Sequence, residues 1–369
     1  MSYSKAGHHP DYFLLALVFV LVLFGLAMLS SAGSEIGKIR FNDSYYYLKH
    51  QILNGLIVGL LGFFVAYKIR YQYYKKFALP LLIGTFVLLG LVFTSFGVAS
   101  GGATRWLVFG PVSFQPSELL KLTFIIYLAA WFSNEKERRD QSFLRGFLPL
   151  LAVIGIMAVL LLKQPATSMV VMLVLAALII YFVSGAKLKY LTTFGLLGAV
   201  GLGLVIYFTP YRLERVTSFL NQSEDDLGSG YHRNEALIAL GSGGVFGAGY
   251  GESKTKTAYL PAAVDDSIFA VIGEELGFVG SGALVALFGM LTFKLFWISR
   301  QLRDKFGQLI LIGFGSIVAI QSLINIGAIS GVFPLTGIPL PFISYGGTSL
   351  VVFLTMSGIA ANASRYTRK

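Results

Sequence analysis

The chain contains no cysteine, and only four of its 369 residues are histidine. These shortages exclude a disulfide framework, thiolate metal sites and cysteine nucleophiles, and they leave little for a His-rich metal centre. Charge is also scarce: 13% of residues are Asp, Glu, Lys or Arg, against roughly 25% in ordinary soluble domains. Hydrophobic residues make up 55%, and mean hydropathy is +0.72. A compact soluble protein of this length has too little interior to hide that much apolar surface, so lipid is the solvent for most of the chain. No soluble domain, low-complexity tract or clear internal repeat interrupts the pattern, and residues 1–369 read as one integral-membrane unit.

Apolar stretches recur at 12–31, 48–67, 77–96, 118–133, 146–162, 167–184, 190–209, 266–293, 307–332 and 340–361. A hydrocarbon core of roughly 30 Å needs about 20 helical residues. The pattern therefore predicts an all-α polytopic membrane protein with about ten transmembrane helices and a large extracytoplasmic loop, 210–265, between the seventh and eighth. The net charge of +11 tests this count. With the N-terminus inside, most of the 29 Lys and Arg residues are cytoplasmic, whereas acids and bases balance in the outer segments. The positive-inside rule thus supports ten spans with both termini cytoplasmic, and topology rather than nucleic-acid binding explains the charge. The first apolar run, Tyr12 to Leu29, exceeds the roughly 7–15 residues of a signal-peptide core and reads as a retained span.

Three outer segments concentrate the unusual residues. In the first, Gly97 to Lys121, a glycine-rich start carries Arg105-Trp106, and Gln115-Pro116-Ser117-Glu118 begins a helix with Ser117 as the expected N-cap. Glu118 and Lys121 share a helix face at i,i+3. Lys121 lies about a turn inside the membrane, where it either pairs with Glu118 or awaits an anion. The second segment, 210–265, holds the acidic run Glu224-Asp225-Asp226, an amphipathic helix from His232 to Leu240 and a glycine run from Gly241 to Gly251 that allows close backbone approach. Lys254 and Lys256 follow it. The third places Asp266 at the start of the eighth span, as an N-cap or a functional carboxylate, with Glu274 and Glu275 some 12–14 Å deeper. Acids at that depth are paired or functional. Beyond these, Asn325 to Ser349 is broken by Gly and Pro, and broken backbone at membrane depth is tolerated only against protein or a water-filled cavity.

These residues resemble the SEDS proteins (shape, elongation, division and sporulation), the group of FtsW, RodA and SpoVE. The resemblance spans nearly the whole chain. It is strongest in Asn325 through Ser349, which ends Pro341-Phe342-Ile343-Ser344-Tyr345-Gly346-Gly347-Thr348-Ser349, and in Tyr259-Leu260-Pro261 through Gly277. A third block joins Gly102-Ala103-Thr104-Arg105-Trp106 to Gln115 through Lys121. The resemblance implies a GT-C-like fold and a peptidoglycan glycosyltransferase that polymerises lipid II on the outer face of the bacterial cytoplasmic membrane. It also implies partnership with a cognate class B penicillin-binding protein and other divisome proteins, and a catalytic aspartate at Asp266. The sequence leans toward the FtsW, or cell-division, branch. Three departures stand out. Val264-Asp265 occupy the place of the family's usual His-Thr, Gln164-Pro165-Ala166 lacks a carboxylate usual there, and His232 stands where many members carry Gln after Gly-Tyr.

Lipid II carries a polyprenyl tail, a pyrophosphate at the headgroup level and a disaccharide-pentapeptide outside. The expected pyrophosphate ligands are Arg105 and Lys121, with Lys254 and Lys256. Trp106, Glu118, Glu274, Ser344 and Tyr345 are further candidates around the substrate. Asp266 is expected to act as general base or to hold a divalent cation, Mg or Mn, and the sequence leaves both open. The rival readings are a transporter of lipid-linked precursor and a non-catalytic division scaffold.

Overall fold

The computed structural model describes residues 7–100, 103–109, 112–134, 139–220, 229–258, 260 and 262–367. The acidic run 224–226 and residues 259 and 261 lie outside the described residues. The chain begins with α1 (Tyr12–Ala32) and an outer turn of helix, α2 (Ser34–Phe41). Next, α3 (Tyr46–Gln51) runs through a π turn into α4 (Val58–Lys68), and α5 (Tyr74–Leu91) returns to the outer side. There the chain forms β1 (Gly97–Ser100), β2 (Ala103–Phe109) and β3 (Val112–Phe114) before α6 (Pro116–Phe132), α7 (Leu148–Lys163), α8 (Thr167–Val183) and α9 (Leu188–Tyr207). The large loop carries α10 (Pro210–Leu220), α11 (Ser229–Ser242) and α12 (Thr255–Ala258). Three helices complete the bundle: α13 (Ile268–Gln301), α14 (Lys305–Ile329) and α15 (Gly347–Ser364).

Among the described residues, eight helical segments are long and apolar enough to cross a membrane, and α8 is a shorter apolar helix. With α6, which has 17 residues, they account for the ten expected spans. α6 carries the polar residues Glu118 and Lys121, and nearly all its side chains are buried. It sits at the centre of the bundle, against α5, α8, α14 and α15, where protein rather than lipid receives its charges. α9 is at the opposite extreme, with only Phe194 buried.

The small outer sheet departs from an all-helical reading. Its order is β1-β2-β3, all antiparallel, with Trp106 opposite Val98 and Leu107 opposite both Gly97 and Phe114. The run Thr104 to Phe109 is rich in β-branched and aromatic residues and is bounded by Gly-Gly and Gly-Pro, the composition of a short meander. Three span limits also move. The third span starts earlier and ends at Leu91, where the chain turns into the sheet. The eighth runs on to Gln301. The tenth begins at Gly347, because Pro339 and Pro341 interrupt any helix before it. Ser117 is not the cap of α6: Gln115 occupies that position and Pro116 the first helical one. Proline is favoured there because it lacks the N–H that would go unpaired.

α13 is broken at Gly277, whose φ of 65° and ψ of −164° are non-helical. The break frees backbone groups on both sides, and the glycine run of the outer loop supplies their partners. Ala248 N–H donates to Glu274 O (2.9 Å) and Gly249 N–H to Glu275 O (3.0 Å). Beyond the break, Phe278 N–H donates to Gly244 O (2.9 Å) and Val279 N–H to Val245 O (3.1 Å). A Cβ on Gly277 would lie 2.4 Å from Gly247 N, and one on Gly247 would lie 2.2 Å from Glu275 O. Gly277→Ala is therefore expected to destabilise the protein by at least about 1–3 kcal/mol from the left-handed backbone alone, read as a lower thermal midpoint in nanodiscs. An unchanged midpoint would show that the kink is not needed.

Candidate functional site

The site forms where the turn 262–267 meets the Gly- and Pro-rich segment between α14 and α15. Asn325 of α14 joins the two: its Nδ2 donates to Asp266 O and to Ile338 O, each at 2.8 Å. The irregular segment is held from several sides. Ser168 Oγ donates to Thr336 O (3.1 Å), Arg215 Nη1 to Leu335 O (3.2 Å) and Gln321 Nε2 to Pro339 O (2.7 Å). Side chains of three helices thus satisfy carbonyls that a continuous helix would satisfy internally. The segment passes close to the aspartate, with a Cβ on Gly337 3.7 Å from Asp266 Oδ2.

Asp266 is not a helix cap, because Ser267 holds that position and no side chain caps α13. Burial raises the Asp266 pKa, and His232 and Arg215 oppose the rise. His232 of α11 places Nε2 2.5 Å from Ser267 Oγ, and burial lowers its pKa while Asp266 opposes. The two adjacent acids enter different surroundings. Asp265 reaches solvent beside Arg40, and protein packed around it, with the Asp266 charge, pushes its carboxyl up to about 7.

A carboxyl raised in the folded state favours folding below its unfolded pKa of roughly 4, and that contribution is lost as pH rises through about 7. Asp265→Asn is therefore expected to gain thermal stability relative to the wild type between pH 5 and pH 8. A midpoint difference that stays flat with pH would contradict this environment for Asp265.

The expected cations separate into two groups. Lys121 is fully buried and paired: its Nζ is 2.5 Å from Glu118 Oε2, donates to Gln321 Oε1 at 2.9 Å, and lies 4.8 Å from the centre of the Phe353 ring. Of the two alternatives for Lys121, the structure shows the internal pair. Through Gln321 that pair reaches Pro339 and so supports the segment over Asp266. Lys256 is likewise closed, donating to Glu275 Oε1 (2.8 Å), Ser31 Oγ (2.9 Å) and Gly251 O (2.7 Å). Both depart from the expected role of phosphate ligand: each ammonium is buried and neutralised by a carboxylate, and all three donors of Lys256 are taken. Arg105 stays on the outer side, where Nε donates to Gln164 O (2.8 Å) and Nη2 to Pro165 O (2.6 Å). Backbone carbonyls there take the place of a carboxylate at Ala166. Burial lowers the Arg105 pKa, Tyr211 opposes, and nearby Arg215 adds to the lowering. Lys254 is exposed.

The remaining candidates are structural in their contacts. Glu274 accepts from Ser253 Oγ (2.6 Å), Thr255 Oγ1 and the backbone N–H of Lys254 (2.8 Å), and so closes the loop ahead of α12 rather than facing substrate. Ser344 Oγ accepts from Leu340 N–H at 2.8 Å. Tyr345 N–H donates to Val264 O at 2.8 Å, and its ring meets Tyr47 edge-on, tying the start of α15 to the turn of Asp266. Trp106 is half-buried on the sheet. Among the described residues no three His, Asp or Glu side chains converge as a cation site would require. His232, Arg215 and Arg233 were not singled out from sequence as site residues. The signal for His232 is its place where relatives carry Gln; the two arginines carry none beyond lying in the loop ahead of Asp266.

A family model described as a cell cycle protein, that of FtsW, RodA and SpoVE, matches residues 12–369. The chain is 37% identical over 360 residues to the Stage V sporulation protein E of Bacillus subtilis (strain 168), covering 97% of this chain and 98% of that one. It is 35% identical over 359 residues to the Probable peptidoglycan glycosyltransferase FtsW of Geobacter sp. (strain M18), covering 97% of each. Among solved structures, a chain of a peptidoglycan synthase complex that coordinates polymerization and crosslinking superposes with a TM-score of 0.78 at 27% identity, over 96% of this chain and 98% of that one. The Rod shape determining protein RodA of Thermus thermophilus superposes with a TM-score of 0.72 at 27% identity, over 98% of each. A match over nearly the full length means that the chain belongs to the FtsW/RodA/SpoVE family.

Proposed function

We propose that this chain is a peptidoglycan glycosyltransferase that polymerises lipid II into glycan strands at the outer face of the bacterial cytoplasmic membrane. The observation that carries the reading is Asp266. It is a carboxyl held at the outer mouth of the bundle between His232, Arg215 and the segment through Gly337, and it has no cap to serve. In its ionised form Asp266 takes the proton from the acceptor sugar's 4-hydroxyl. That oxygen bonds to the donor's anomeric carbon, and the bond to the pyrophosphate breaks with its electron pair leaving on the phosphate. The stereochemistry inverts, and no covalent enzyme intermediate forms.

A transport path would need open polar groups through the membrane midplane. Here the buried ionisable groups Lys121 with Glu118 and Lys256 with Glu275 are closed into ion pairs. Both termini lie in the cytoplasm, and the partner is a class B penicillin-binding protein in the division machinery. Lipid II incubated with the purified protein in nanodiscs, with and without that transpeptidase, should yield glycan strands. No polymer with the correct partner present would overturn the reading.

A further inference from the structure

The amphipathic helices of the outer loop enclose a second feature beside Asp266. α10, α11 and the segment at Pro334-Leu335 line a pocket open to solvent on one side, whose polar walls are Arg215, Ser218 and Arg233. Arg233 is 7% exposed. Its Nε is buried without a hydrogen-bond partner, and Nη1 has only a long contact, 3.5 Å, to Phe219 O. Arg215 Nη1 donates to Leu335 O (3.2 Å) and Nη2 to the Tyr211 hydroxyl, and its guanidinium lies over the Tyr211 ring. Among the described residues neither arginine has a carboxylate in ion-pair range, and Arg215 is close enough to act on both Asp266 and His232. A buried guanidinium with idle donors is costly unless something binds it. The idle planar N–H groups of Arg233, with the positive charge of Arg215 on the same pocket, suit phosphate oxygens.

We propose that the Arg215–Arg233 cavity is an anion subsite that takes the pyrophosphate of the lipid-linked donor. The identity of the donor rests on the glycosyltransferase reading; the anion site itself does not. The subsite assigns to loop arginines the role that the buried pairs deny to Lys121 and Lys256. It also places the departing charge on the side of Asp266 occupied by Arg215, away from Asp265.

The test is binding of inorganic pyrophosphate to the full chain in phosphatidylcholine nanodiscs, read as a concentration-dependent rise in thermal midpoint. Wild type should respond, and Arg233→Gln should bind about 10–100-fold more weakly, the loss expected for charge-assisted hydrogen bonds to an ion. Arg233→Lys, which keeps the charge without the fork, should fall between them and serves if the Gln variant does not fold. Inorganic phosphate and nanodiscs containing phosphatidylglycerol separate the possible sources: competition by the lipid but not by pyrophosphate would identify a headgroup site and overturn the proposal. An unresponsive wild type, or Arg233 variants equal to it, would also overturn it. Binding that survives in a protein that makes no polymer would leave the subsite standing and remove the glycosyltransferase reading.

Discussion

Asp266→Asn is expected to lower the rate of lipid II polymerisation by about 10²–10⁴-fold while the protein remains folded. The substitution preserves shape and removes only the proton acceptor. Burial disfavours the charged form of Asp266, so the neutral amide relieves a desolvation cost, and the thermal midpoint should hold or rise. The wild type should lose activity as pH falls through the raised pKa of Asp266, because the base must be ionised to work. His232 and Arg215 limit how high that pKa climbs. The measurement is the initial rate of lipid II consumption against pH for both proteins. A variant within a few-fold of wild type would remove the general-base role.

Lys121→Met is expected to cost about 3–5 kcal/mol of stability, because it strands Glu118 as a buried charge. Glu118 is 2% exposed and Lys121 0%, so solvent cannot take over either partner. Adding Glu118→Gln to Lys121→Met should recover most of the loss, since the cost lies in the unpaired charge rather than in the missing pair. Activity should not return with stability. The double variant lacks the ammonium on Gln321 Oε1 that steadies Gln321 beneath Pro339, and the segment over Asp266 loses its anchor. Thermal unfolding and polymerisation of the single and double variants separate the two effects. Full recovery of both would make the pair a stability device with no influence on the site.

The outline of the molecule was legible because the bilayer is a demanding solvent. Twenty apolar residues at a time, with basic residues between alternate pairs, leave few alternatives to a helix bundle. The glycine run likewise read as a place for close approach, and it packs against the break in α13. The sheet was less legible, since three short strands hidden among glycines carry little periodicity. The family resemblance located Asp266 within the sequence, but it did not separate the surroundings of Asp265 and Asp266.

Sequence by itself determined the solvent, the spans, the family and the aspartate at the mouth of the eighth helix. Only the tertiary structure decided which cations are available. Lys121 and Lys256 look like phosphate ligands in a one-dimensional reading because both stand near the outer membrane face. Each is closed by an acid: Glu118 three residues earlier in its own helix, and Glu275 just before the kink of α13. Arg215 and Arg233 look like ordinary loop residues, yet folding turns both into one cavity beside Asp266. The physical reason is that a charge's role depends on what is desolvated with it, and that is fixed by packing between segments distant along the chain.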